Sequence, residues 1–276
     1  MHTPVLLQKM IERLQIKPEG KYVDATVGEG GHTSAILAKG GYVLGLDRNR
    51  EQIIALQKSM NNDHLTLVQG NFADIAELVP AKDKGNIDGV LFDLGLSWAQ
   101  LKDLGRGFSY RNLDEPLDMR LDSSGELTAE YILNVYSENE LYEVFAKNSE
   151  EVKAKGIAQS IVNYRTTKRY KTVHDLNKTI DKVMGANAGK TYSRIYQALR
   201  IEVNEEFENL KKGLEGALSV LKPGGKIAVI SFHSLEDRIV KNFIREKKLK
   251  QITKKAIAGD RQLSFERSAH LRIFSS

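Results

Sequence analysis

No cysteine occurs among the 276 residues. Disulfide frameworks, cysteine-ligated zinc and thiol nucleophiles are therefore excluded, and a reducing compartment is compatible with the chain. No apolar run approaches the ~20 residues that a membrane-spanning helix needs. The opening MHTPVLLQKM has neither a basic leader segment nor a long apolar core. The expectation is a soluble, cytoplasmic protein with no membrane partner. Internal repeats and low-complexity tracts are also missing. What is present is 41% hydrophobic content, enough for a full core in one large domain or a domain with an insert. The formal charge of +5 suits either a solvated surface or a nucleic-acid partner. Two basic clusters favour the partner. Lys168, Arg169 and Lys171 flank Tyr170, and Lys247, Lys248, Lys250, Lys254 and Lys255 crowd the C-terminal part. Cations interleaved with an aromatic can hold phosphates while the ring stacks a base.

The chain is organised around YVDATVGEGGHTSAILAKGGYVLGLD, residues 22–47. Tyr22-Val23 leads as a strand into Asp24, then into a turn carrying Gly28, Gly30 and Gly31, and Thr33 to Lys39 reads as a helix. A second strand, Tyr42 to Leu46, ends at Asp47, where sheets of this kind bind ribose hydroxyls. In the dinucleotide pattern G-x-G-x-x-G/A, the position counted from Gly28 should be small, yet it is Thr33. That misfit, with Asp24 upstream of the loop, disfavours a pyrophosphate and suits S-adenosylmethionine, a cationic nucleoside without phosphate. A glycine-rich turn that serves only packing is the other reading.

Alternating elements continue to about residue 93. A helix is expected near Glu51 to Met60, a strand from Leu65 to Gln69, a short helix near Ile75 to Val79, and a strand from Gly89 to Asp93. Repeated βα units predict a parallel doubly wound sheet with its ligand outside the carboxyl strand ends. The pattern then changes. Leu94 to Met119 reads as loop and Thr128 to Met184 as helices only, with capping boxes at Ser137/Glu140 and Thr172/Asp175. After GANAGK a single long helix is expected from about Tyr196 to Leu221, stopped by Lys222-Pro223-Gly224-Gly225. The sheet resumes at Lys226 to Ile230, and Leu271 to Phe274 closes it. The expected domains are residues 1–103 and 191–276 as an α/β core, with residues 104–190 as an inserted helical substrate-binding domain.

Seven co-ordered motifs carry a family resemblance: VDATVGEGGHTSAIL, LFDLGLS followed by Gln100-Leu101, RGFSY, PLDMR, LTAEYILN, YQALRIEVNEE and ISFHSLEDRIVK. Together they resemble the ribosomal RNA small subunit methyltransferase H (MraW) family over nearly the whole chain. The resemblance implies a class I methyltransferase fold, a Rossmann-like doubly wound sheet with an inserted all-helical domain. It also implies S-adenosylmethionine as cofactor and methylation of the exocyclic N4 of a cytidine in the decoding centre of 16S RNA. The implied partner is small-subunit rRNA or the assembled 30S subunit, with the enzyme a monomer or homodimer. The family's cofactor contacts fall on Gly30, Gly31, His32, Asp47, Phe72, Asp93 and Gln100. The chain departs from the family at Trp98, where a second serine is usual, and at Thr191-Tyr192-Ser193 before Arg194, where PAT is common.

For several of these residues two roles stay open. His32 either donates to the methionine carboxylate or caps a helix, and Phe72 either faces adenine or packs in the core. Asp93 and Ser97 are the candidate catalytic acceptors for an amine N–H, although Asp93 serves equally as a bridge to the cofactor's amino group. Arg106, Phe108 and Tyr110 form a candidate substrate surface, cation on phosphate and rings on a flipped base, or else pack their own loop. His233 lines a base pocket or caps a helix. A metal at HSLED is disfavoured by its single histidine. Transfer to cytosine C5 normally needs a cysteine nucleophile, which is lacking, and ribose methylation usually needs a lysine, which LFDLGLS does not contain.

Overall fold

A computed structural model of the chain describes residues 4–95, 105–185, 188–260, 262–263 and 266–276. Its contacts divide into two units, Met1–Gly95 with Phe207–Ser276, and Leu96–Glu206.

The first unit is an α/β sandwich. Its strands are β1 Lys21–Asp24, β2 Tyr42–Asp47, β3 Leu65–Gln69, β4 Ile87–Asp93, β5 Leu221–Ser231, β6 Lys250–Gln251, β7 Ile257–Ala258 and β8 His270–Ser275. The sheet order is β3-β2-β1-β4-β5-β8-β6, with β7 also paired to β8. The five strands β1 to β5 run parallel, and β8 is antiparallel to β5. This is the doubly wound, Rossmann-like sheet that the family resemblance implies. Its order reverses between β1 and β4, and a ligand crevice forms outside the carboxyl ends at such a switch point.

Both faces of the sheet are covered, which is why β4 reads IDGVLFD, apolar almost throughout. Val90 and Phe92 point into one core with Ile227 and Val229 of β5, Leu210 and Leu214 of α10 (Glu206–Val220), and Val240 and Phe243 of α11 (Ser234–Glu246). The alternate Leu91, with Ala228 and Ile230, joins the other core. There it meets Met10 and Leu14 of α1 (Leu7–Leu14) and Ile36 of α2 (Gly31–Leu37). On this face of the unit, α1 was not among the expected elements. Leu6 precedes it in the left-handed region at φ 54° and no side chain caps it, so its apolar spacing alone announces it. Helices α3 (Arg50–Ser59) and α4 (Ile75–Leu78) complete the βα repeats. Asn49 starts α3 by accepting from the amides of Glu51 and Gln52.

The second unit is helical: α5 Ala129–Val135, α6 Glu138–Ser149, α7 Ala154–Arg165, α8 Val173–Met184 and α9 Gly189–Asn204. Both expected capping boxes form, Ser137 with Glu140 and Thr172 with Asp175. Phe145, Ile157, Ile161, Leu176, Ile195 and Leu199 build its core.

Two expectations change. The single helix over residues 196–221 is two helices, broken at Glu205, which lies at φ 50°. Nothing in the residue types announces that break, since neither glycine nor proline is present. It is held by side chains. Asn204 is buried, donates to the carbonyls of Met119 and Arg200, and accepts from the amide of Leu121. Arg200 then clamps Glu206 through two bonds of 2.8 and 3.0 Å across the break. The second change follows from it. Ile195 and Leu199 belong to the helical core, so the contacts place α9 with the helical unit and the second join near Glu206, beyond the residue 190 expected from GANAGK.

Candidate active site

Four carboxyl strand ends of the α/β unit bring polar side chains together. At the end of β1, Asp24 is buried and accepts from the Thr33 hydroxyl at 2.7 Å and the Thr26 amide at 3.3 Å. Thr33, the residue that spoils the dinucleotide pattern, is thus the partner that tethers α2 to β1. Burial pushes the Asp24 carboxyl up from its ordinary range, and His32 and the hydrogen bonds counter only part of that. In the sequence, Asp24 served only as an argument against a pyrophosphate and was not counted among the site residues.

At the end of β2, Asp47 accepts from the Gly28 amide at 3.0 Å and the Asn49 amide at 2.8 Å. Burial raises its pKa, opposed by those two amides. The carboxylate therefore ties the glycine loop to its own strand end, and each oxygen keeps a further lone pair. Within the loop, Gly30 sits at φ 78°, and a Cβ there would lie 2.6 Å from Met60 Sδ. A Cβ on Gly31 would lie 2.3 Å from Pro4 Cγ. Gly30 is required by its left-handed backbone, whereas Gly31 is required by the close packing of the Pro4 ring.

At the end of β3, Phe72 is half-buried. Its ring meets Phe92 edge-on at 5.6 Å, and Gly213 leaves it room, since a Cβ there would come within 2.7 Å. One side of the ring is therefore core.

At the end of β4, Asp93 donates its amide to Thr26 Oγ1 at 2.7 Å, and one carboxylate oxygen accepts from Gly95 at 3.2 Å. The other oxygen lies 3.6 Å from His32 Nδ1. Buried His32 places Nε2 3.0 Å from the Val5 carbonyl, so Nε2 carries a proton and Nδ1 faces Asp93. Two lone pairs would confront each other there unless the pair shares a proton. Asp93 is pushed up to about 6, first by burial and further by Asp24 and Glu236, against the pull of His32 and the Gly95 amide.

At the end of β5, His233 is the N-cap of α11 and accepts from the Glu236 amide at 3.4 Å. Buried Glu236 accepts from the amides of Phe232 and His233 at 2.7 and 3.3 Å. His233 Nε2 is buried and out of line for hydrogen bonding, although Glu236 Oε1 lies 3.0 Å away. Of the two roles left open, the structure shows the cap. Phe232 stands against Gly95, where a Cβ would lie 2.6 Å from the ring. Among the described residues no group of three or more His, Asp or Glu is arranged to hold a metal ion.

Of the candidates, Gly30, Gly31, His32, Asp47, Phe72, Asp93 and His233 thus lie at or beside these strand ends. Ser97, Trp98 and Gln100 lie outside the described residues.

The candidates in the helical unit read differently. Phe108 is 6% exposed in the helical core, so it packs and does not stack a base. The Arg106 guanidinium donates to the Arg120 carbonyl at 3.0 Å, holding its own loop. Tyr110 stacks on Tyr192 at 5.2 Å with Tyr196 edge-on at 6.0 Å, and Arg111 lies 5.8 Å from its ring centre. Tyr192, one of the departures from the family pattern, is therefore an element of an aromatic cluster. Tyr170 is fully buried with its hydroxyl 2.6 Å from Thr179 Oγ1, which removes it as a stacking ring between the basic residues. Lys168 pairs with Asp175 at 2.6 Å and helps hold that carboxyl down at about 2.

Sequence comparisons agree with this architecture. The chain is 42% identical to the ribosomal RNA small subunit methyltransferase H of Heliobacterium mobile, over 95% of this chain and 93% of that protein. It is 41% identical to the one from Halothermothrix orenii, over 99% and 97%. For the Carboxydothermus hydrogenoformans protein the figures are 40%, 98% and 94%. A family model described as the MraW methylase family matches residues 1–273. With strand order, the seven motifs and near-full-length relatives in agreement, the chain belongs to the MraW methylase family.

Proposed function

We propose that this chain methylates the exocyclic N4 of a cytidine in the decoding centre of 16S rRNA, with S-adenosylmethionine as methyl donor. One observation carries the cofactor side. Three carboxylates, buried Asp24 and half-buried Asp47 and Asp93, end adjacent strands at the switch point, all with raised pKa values, and His32 is the cationisable group beside them. Such a site repels a pyrophosphate and favours a cation. S-adenosylmethionine supplies a positively charged sulfonium whose methyl group is the electrophile.

The chain's own residues fit that donor. Asp47 keeps acceptor capacity for ribose hydroxyls, the free side of the Phe72 ring suits adenine, and the Gly30-Gly31 backbone has no side chain to block approach. Gln100 is assigned to the same donor by its place in the family motif. The cytosine amine is a poor nucleophile because its lone pair is delocalised into the ring. Asp93, as carboxylate, accepts an N–H of that amine and holds it in line, with Ser97 as second acceptor, and orientation supplies much of the rate. His32, 3.6 Å from Asp93, is the neighbour that most favours its ionised form against burial. The helical unit is the substrate-binding part, acting through surfaces other than the buried Phe108 and Tyr170. Substrates compared are naked small-subunit rRNA and assembled 30S particles lacking the modification. Labelled methyl transfer from S-adenosylmethionine to one of them is expected. Transfer to neither, by folded protein that binds the donor, contradicts the reading.

A further inference from the structure

The stretch from Arg238 to Lys255 holds eight Lys or Arg against one acidic residue, a local charge of +7 in a chain whose total is +5. The remainder of the chain is therefore slightly acidic, and the whole basic excess lies on α11 and the segment that follows it. Every one of these basic side chains is exposed. Lys241 and Arg245 are four residues apart and share the outer side of α11, and Lys248 follows just past the helix end at φ 54°. Lys250 continues this basic stripe on edge strand β6, followed by Lys254 and Lys255. Among the described residues Lys241, Lys248, Lys250, Lys254 and Lys255 have no carboxylate partner, while Lys247 is held by Glu215. Beside β6 lies a cleft of the same unit whose lining includes Arg13, Lys226 and Lys250 together with the acidic Glu12.

Two ordinary explanations fall short. Cations at a helix C-terminus complement its dipole, but that effect ends within the last turn and does not reach Lys241 or Lys254. Lysine on an edge strand discourages strand pairing, which accounts for Lys250 alone. A lipid surface does not fit either. The apolar side of α11, Leu235, Val240, Phe243 and Ile244, is buried in the core, so the helix has nothing to insert.

We infer that α11 and β6 form a phosphate-tracking surface of the α/β unit, which holds the substrate RNA backbone away from the target nucleotide. From Lys241 to Arg245 the helix rises about 6 Å, at 1.5 Å per residue, which faces about two phosphates of one strand, and Lys248 and Lys250 extend the basic run past the helix end. His233 opens α11 at the carboxyl strand ends, so the stripe leads away from the candidate active site along one rigid element. The inference rests on the rRNA reading of the function and adds to it a place where the substrate is gripped.

The test is a triple variant, Lys241→Gln, Arg245→Gln and Lys248→Gln, in the full chain. A control replaces the exposed Lys39, Lys58 and Lys82 by Gln with equal loss of charge. Fluorescence anisotropy with a labelled 16S rRNA transcript is read across a salt series. The stripe variant is expected to bind roughly tenfold more weakly near 0.1 M salt and to lose about 2 from the log–log salt slope. Its KM for RNA rises, while kcat and the calorimetric affinity for S-adenosylmethionine stay as in the parent. An unchanged Kd and slope in the stripe variant, or an equal loss in the control, overturns the surface while leaving the methyltransferase reading intact. A parent chain that neither binds nor methylates the RNA overturns both.

Discussion

Asp93→Ala is expected to cost turnover roughly 10²-fold or more, because it removes the acceptor that orients the amine at the end of β4. Asp93→Asn separates this from damage to the fold. The Asp93 pKa is raised by burial to about 6, so ionisation is less favourable in the folded than in the unfolded chain. A raised carboxyl contributes its full stability below the unfolded pKa and loses it as pH rises through about 6. At pH 7 the ionised group therefore opposes folding, and the neutral amide should leave the melting temperature equal or higher while turnover collapses. Activity and stability moving in opposite directions mark a residue kept for function. The same titration shapes the pH profile. For the parent, kcat/KM for the cofactor should fall about tenfold per unit below pH 6, where Asp93 is protonated. Thermal melts and steady-state kinetics of the two variants check this. A destabilised Asp93→Asn, or one that keeps full turnover, removes Asp93 from the mechanism.

Asp47→Ala should weaken S-adenosylmethionine binding by about 1.5–3 kcal/mol, the loss expected for a charge-assisted hydrogen-bonding partner. The structure adds a second contribution to the first. Asp47 also fixes the Gly28 amide at 3.0 Å and the Asn49 amide at 2.8 Å, so its removal loosens the glycine loop and the start of α3 together. Asp47→Asn keeps the size and one acceptor oxygen and should fall between the parent and alanine. Calorimetry on folded variants measures both, and unchanged affinity in Asp47→Ala would show that the ribose is held elsewhere.

How much of this was legible in the sequence depends on where each signal is written. The sheet strands and the glycine loop are local: apolar runs ending in Asp24, Asp47 and Asp93 state both the strand and its functional end. Capping boxes are equally local, and both formed where Ser137 and Thr172 announced them. The break at Glu205 is written in tertiary bonds of Asn204 and in the Arg200–Glu206 clamp, which no window of residue types displays. Two aromatic residues, Phe108 and Tyr170, were misread for a related reason. Phe108 beside arginine, and Tyr170 among lysines, look like stacking platforms in one dimension. Burial decides the matter, and both rings point into the helical core while their charged neighbours stay outside. Thr33 carried information that the sequence used only as a misfit. Its hydroxyl on Asp24 is the positive reason for its presence.

The most direct test of the account is nucleoside mass spectrometry of small-subunit RNA treated with the protein and S-adenosylmethionine. The chain contains no cysteine for addition to cytosine C5, and the strand end of β4 offers acceptor oxygens suited to an N–H group. The account predicts one new N4-methylcytidine, absent from the reaction with Asp93→Ala. A C5-methylated or ribose-methylated cytidine in its place would contradict it.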